Sequence, residues 1–136
     1  MFEYPQNKNW QSSDRLLGRA RSDFNLLEWD KVNSRLGPSK KVNVIAVGFE
    51  ADSDSILGQY QEAKWAGGKK NDLVICYGGQ PGKAAWVYVF GWTESEGVKR
   101  DLESLFIKAE REKEDKDVVL PGMTLLPKME KLVMEE

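Results

Sequence analysis

Two short apolar runs bracket one helical pattern: VNVIAV at 42–47, then SILGQYQEAKWAGG, then LVICY at 73–77. Runs this short and this rich in β-branched residues read as strands covered on both faces, as in a parallel sheet. The segment between them carries Ile56, Leu57, Tyr60, Ala63 and Lys64 at helical spacing and stops at Gly67 and Gly68, while EADSDS before it supplies turn and cap residues. Strand, helix, strand in that order predicts a right-handed parallel crossover within one sheet. The first strand is expected over Val42 to Gly48.

After LVICY the chain passes through GGQPGK into AAWVYVFGW, where Trp86, Tyr88 and Phe90 alternate with Ala85, Val87 and Val89. A short Gly/Pro link joins antiparallel strands, so a hairpin is expected, its two strands at the centre of the sheet. The link also ends in Gly-Lys, as a phosphate-binding loop does. Such a loop needs G-x-x-x-x-G-K-[S/T] and opens a helix whose N-terminus faces the phosphate. Here Tyr77 stands at the first glycine position, Ala84 stands at the hydroxyl position, and the residues that follow alternate like a strand. The link therefore reads as a turn. Lys83 stays a candidate ligand-binding side chain by position alone.

Upstream, SDFNLLEWDKVNSRLGP offers Ser22 or Asp23 as an N-cap, then Leu26, Trp29, Asn33 and Leu36 with Leu27 and Val32 flanking, and Gly37-Pro38 as a stop. Downstream, Thr93 and Glu96 have the spacing of a capping box before Val98, Leu102, Leu105, Phe106 and Ala109, which share one helical face. EREKEDKD reads as a solvated charge run, and DVVLPGMTLLPKMEKLVMEE as a short helix over the core with packing methionines. With 136 residues the chain has the size of one domain. The expected fold is α/β: a mixed sheet with a parallel β-α-β crossover followed by a β-hairpin, helices packed on both faces. Residues 1–21 read as a polar N-terminal segment, 22–109 as the core, and 110–136 as the charged run and C-terminal packing segment.

The chemistry open to this chain is narrow. Histidine is absent, which removes Ser-His-Asp and Cys-His sets, His-ligated zinc and the usual proton shuttle near neutral pH. The single cysteine, Cys76, lies inside an apolar run and reads as a small buried residue. Asp52 and Asp54 follow the first parallel strand, at the sheet edge where open α/β proteins bind ligands. They could hold a divalent cation through oxygen ligands, or serve as a helix cap and a solvated turn. No other cofactor is expected.

The formal net charge of −2 gives no whole-molecule attraction to nucleic acid or acidic membranes, so any basic surface must be local. Lys40, Lys41, Lys69 and Lys70 stand just before two strands running the same way, with Arg35 nearby. They should converge on the opposite edge, where they could meet phosphate headgroups, an acidic partner or nucleic acid, or serve solubility alone. Trp65 and Trp92 border Gly-rich turns and could anchor a partner or cover the ends of the sheet. No stretch approaches the ~20 apolar residues of a bilayer span, and the N-terminus has no basic segment followed by an apolar core. As written, the chain is expected in the cytoplasm. A domain excised from a longer anchored protein would instead be envelope-associated.

The order VNVIAV, helix ending AKWAGGKKND, LVICY, Gly-rich turn, AAWVYVFGW resembles the core of the TPM-domain family of bacterial and plastid envelope proteins. Trp65, Gly67, Gly68, Lys69, Lys70 and Asn71 correspond to that family's turn of tryptophan, glycine, basic residues and asparagine, and the similarity spans roughly residues 42 to 106. The resemblance implies an α/β sandwich serving assembly or repair of membrane complexes, with some members described as metal-binding or as phosphatases. Members of the family typically carry a signal peptide and a membrane anchor, and this sequence shows neither export signal nor anchor. Three functions follow as expectations. The first is a non-enzymatic interaction module for a partner protein or membrane-associated complex. The second is a divalent-metal-dependent phosphate-ester hydrolase using Asp52, Asp54 and Lys83, and the third is nucleic-acid binding through the lysine edge.

Overall fold

The computed structural model describes residue 2 and residues 15–50, 52–65, 71–79, 84–92, 97–106 and 125–135. The chain order is β1 (Leu16–Gly18), α1 (Ala20–Asp23), α2 (Leu26–Lys40), β2 (Asn43–Phe49), α3 (Ile56–Lys64), β3 (Asp72–Gly78), β4 (Trp86–Gly91), a helix α4 over 97–106, and α5 (Leu125–Met134). The strands form one mixed sheet in the order β1-β2-β3-β4. β1, β2 and β3 are parallel and β4 is antiparallel to β3. Among the described residues no helix is long and apolar enough to cross a membrane.

The β2-α3-β3 unit and the β3-β4 hairpin stand where the apolar runs place them. Alternation then sorts the side chains. Val44, Ala46, Leu73, Ile75 and Tyr77 face one side of the sheet with Trp29, Val32 and Leu36 of α2, Val98, Leu102 and Phe106 of α4, and Met129 and Val133 of α5. Ile45, Val47, Phe49, Val74, Cys76, Trp86 and Phe90 face the other side with Trp65, while Leu57 of α3 and Phe2 pack against them. Helices therefore lie on both faces, as the doubly apolar strands require.

Several local expectations are overturned. Residues 16–24, read from the sequence as a polar lead-in up to residue 21, contribute an edge strand, with Leu16, Ala20 and Phe24 buried. β1 is three residues long and pairs in parallel with Ala46 to Gly48, too short to leave a pattern of its own. The N-cap of α2 is Asn25, whose side chain accepts from Glu28 N, not Ser22 or Asp23. Gly37 and Pro38 do not stop this helix, which runs to Lys40 and ends with Lys41 in the left-handed region. Pro38 is tolerated because Ser34, whose carbonyl loses its usual donor, lies on the exposed side. The hairpin does not form the centre of the sheet: β3 is internal, and β4 is an edge strand whose Val89 N–H is met by Glu103 Oε1 at 3.3 Å.

In α3 the inward residues are Gly58 and Gln61, with Trp65 at the C-cap, while Ile56 and Tyr60 are exposed. Gly58 is set by closeness, since a Cβ there would sit 2.7 Å from Tyr88 Cβ. On the other face, Asn33 of α2 is buried and acts in place of a strand. Val44 precedes the β1 pairing, and its N–H donates to Asn33 Oδ1 at 2.7 Å. Its carbonyl accepts from Asn33 Nδ2 at 3.1 Å and from Trp29 Nε1 at 3.0 Å. Those backbone groups would otherwise be buried without partners.

The parallel strands step in one direction, β1 to β2 to β3, yet α2 crosses over one face and α3 over the other. The two crossovers therefore have opposite hands, and one departs from the usual right hand. A functional consequence follows directly. The chain leaves the carboxyl ends of β1 and β2 toward opposite faces, which in an open α/β sheet creates the crevice where ligands bind.

Candidate functional site

At that crevice the strands end on small residues. Gly18 pairs with Gly48, and Phe49 pairs with Gly78. The space they leave is taken by the chain itself. Arg19 follows β1, its N–H donates to Gly48 O at 3.1 Å, and its side chain crosses the ends of the neighbouring strands. Its Nη1 donates to Phe49 O at 3.0 Å and to Gly79 O. Its Nη2 is shut off from solvent and has no hydrogen-bond partner among the described residues, with Asp23 Oδ2 at 4.0 Å. Asp23 in turn accepts from the Tyr77 hydroxyl at 2.7 Å. Burial first, and then the Asp23 carboxylate, push the Tyr77 phenol far above its ordinary range, so it stays a neutral donor.

Beside this cluster, Trp86 Nε1 donates to Ser53 Oγ at 3.0 Å, tying the loop after β2 to the start of β4. A Cβ on Gly78 would collide with both of these atoms, so that glycine serves the closeness of the loops. The loops after β2 and β3 do share this edge. Asp52 and Asp54 are both exposed, and Asp54 Oδ1 accepts from the N–H of Ile56, the first residue of α3, at 2.9 Å. Among the described residues no group of three or more acidic, cysteine or histidine side chains could hold a metal ion. Lys83 lies outside the described residues. Cys76 is fully buried in the sheet, and burial, with Glu62 adding to it, pushes its thiol up and out of reach of thiolate chemistry.

The opposite edge holds the lysines. Asn43 N donates to Asn71 O at 2.7 Å and Asn43 pairs with Asp72, so the chain enters β2 and β3 side by side. Lys41 is exposed and Lys40 partly so, and neither ammonium group has a hydrogen-bond or ion-pair partner among the described residues. Lys69 and Lys70 lie outside the described residues. Arg35 is committed elsewhere: its Nε and Nη2 donate to Glu130 of α5 at 2.6 and 2.8 Å, and that bond holds its guanidinium above its ordinary pKa. At the same edge, in a partly buried chain, Arg15 Nε donates to Asn43 Oδ1, and Asn43 Nδ2 donates to Asp72 Oδ1 at 3.2 Å. Asp30 has one oxygen, Oδ1, shut off from solvent and without a partner among the described residues. Burial raises its pKa against the opposing pull of Arg15.

Neither tryptophan named from the sequence is a free anchor. Trp65 is buried, lies 6.4 Å from Phe90, and its Nε1 donates to Phe2 O at 2.9 Å. Trp92 is half-buried against the four-helix side of the core, with φ at 50° just after β4. The residues that organise the two loops, Arg19, Asp23 and Ser53, carry no sequence motif. The one available hint to Arg19 was its place after a short apolar pair ending in glycine, LLGR.

No protein-family model, no curated protein and no solved structure matches this chain.

Proposed function

We propose that the chain is a non-enzymatic α/β interaction module that binds a protein partner or membrane-associated complex through the edge where β2 and β3 begin. The observation that carries this reading is the pair Lys40 and Lys41, two ammonium groups without partners among the described residues, on a protein whose formal net charge is −2. A small basic edge on a mildly acidic molecule favours an acidic surface presented in one orientation. The crevice at the other end of the strands supports the same reading, because Arg19 and the Ser53–Trp86 contact occupy the place a small substrate would take. Assembly of membrane complexes is also what the resemblance to the TPM-domain family implies. The hydrolase reading draws no support from Asp54, whose Oδ1 accepts from Ile56 N at the start of α3.

Affinity capture with wild type and with the quadruple charge reversal Lys40→Glu, Lys41→Glu, Lys69→Glu and Lys70→Glu tests this. Circular dichroism should first establish that the variant folds. The partner set captured by wild type should disappear with the variant and should weaken as salt is raised, since exposed charges are screened within about 10 Å at 0.1 M. An unchanged partner set would remove the lysine edge from consideration.

A further inference from the structure

We infer that Gln61 and Trp65 form a recognition site for an aromatic residue carried in an extended peptide, and that Phe2 fills it in cis as a built-in occupant. The Gln61 side chain is fully buried on the inner side of α3, and both ends of its amide bind one residue's main chain. Its Oε1 accepts from Phe2 N at 2.9 Å and its Nε2 donates to Phe2 O at 3.0 Å, while Trp65 Nε1 donates to the same oxygen at 2.9 Å. Using the N–H and the C=O of a single residue copies what a neighbouring strand does, and is the device by which strand-addition sites capture extended peptides regardless of sequence.

Selectivity comes from the ring. Phe2 packs edge-on against Phe49, with centroids 5.5 Å apart. Gly18, with φ at +61°, leaves the room it needs, because a Cβ there would lie 2.6 Å from Phe2 Cζ. The site cannot be emptied without cost. If Phe2 leaves, the buried Gln61 amide loses both of these hydrogen bonds, and a buried amide without partners is unfavourable. An extended segment with an aromatic side chain restores those bonds, so a partner presenting one displaces Phe2. This site shares no residue with the lysine edge, and either can fail without the other.

The chain's first six residues, MFEYPQ, made as a fluorescent peptide, provide the probe. Full-length Phe2→Ala, verified by circular dichroism, should bind it saturably. Wild type should bind it about tenfold more weakly or worse, because only the fraction with an open site competes. Adding Gln61→Leu to Phe2→Ala should weaken binding by a similar factor. Absence of saturable binding to Phe2→Ala, equal binding to wild type, or indifference to Gln61→Leu would overturn the inference.

A second measurement stands if Phe2→Ala does not fold. In 15N-labelled wild type, excess peptide should move the Trp65 indole N–H resonance, and the same peptide with alanine in place of phenylalanine should not. Equal shifts, or none, would overturn it. So would a wild-type dimer that dissociates on Gln61→Leu, since that would give the site to a second copy.

Discussion

The two faces of the sheet are closed in different ways. Among the described residues, four helices cover one face, and α2, α4 and α5 meet it with apolar stripes built on Trp29, Leu36, Leu102, Phe106 and Met129. The other face has α3, nine residues long, whose buried positions are a glycine and a glutamine, with Leu57 partly buried and Phe2 held beside it. The first face is held chiefly by apolar area and by Asn33 and Trp29 completing the backbone of β2. The second depends on close approach and on side-chain hydrogen bonds that each carry a large share of the contact. Loss of a large ring should therefore be felt most on the first face, and gain of a single methyl most on the second.

The largest effect expected is that of Trp29→Ala. The ring is fully buried, lies 4.9 Å from Phe24 and bonds Val44 O. Truncation of a buried tryptophan costs about 4 kcal/mol, a large part of the about 5–15 kcal/mol that hold a domain of this size together. Urea unfolding should show a lower midpoint with an unchanged slope. A loss below about 1 kcal/mol would mean that α2 does not seal this face as described.

Gly58→Ala turns the same question on the other face. In an exposed helix the change would stabilise by up to about 1 kcal/mol. Here the new methyl would meet Tyr88 Cβ at 2.7 Å, so a net loss of about 2 kcal/mol is expected as α3 is pushed off β4. The Tyr88→Gly background sharpens the test: once both the Cβ and the ring are removed, Gly58→Ala should become neutral or stabilising. Non-additivity of that sign identifies the clash as the cause. Equal losses in both backgrounds would place the penalty elsewhere.

The same contrast accounts for what could be read in advance. β2, β3, β4 and the inner face of α4 were legible because their burial is recorded in apolar periodicity, and Cys76 fell within that pattern. The inner face of α3 was misread because Ile56 and Tyr60 looked like the buried residues, whereas the space beside Tyr88 admits only Gly58. Periodicity cannot flag a position chosen for closeness, nor a glutamine buried because a distant main chain satisfies it. β1 has three residues and exists through pairing with β2, and Arg19 owes its place to that pairing. The candidate sites follow the same rule. Lys40 and Lys41 were legible from their position before a strand. The stoppered crevice and the Gln61–Trp65 clamp arise from contacts between residues some 30 to 63 positions apart.

The smallest effect expected probes the tie between α3 and β4 through pH. The Tyr88 hydroxyl donates to Glu62 Oε1 at 2.5 Å, and that bond, with burial second, pushes the phenol up from 10.0 to about 12. A phenol held neutral in the folded state adds stability that is complete below its unfolded value and is lost as pH rises through the folded one. The tie should therefore be intact up to about pH 10 and should weaken between there and about 12. The loss should be on the order of 1 kcal/mol, the worth of one partly exposed hydrogen bond. Tyr88→Phe removes the titrating group, so its denaturant midpoint should fall less steeply over that interval than wild type, while Tyr77, bonded to Asp23 on the other face and held far above its ordinary range, contributes equally in both. Parallel curves for the two proteins would show that α3 is not held to β4 through this hydroxyl.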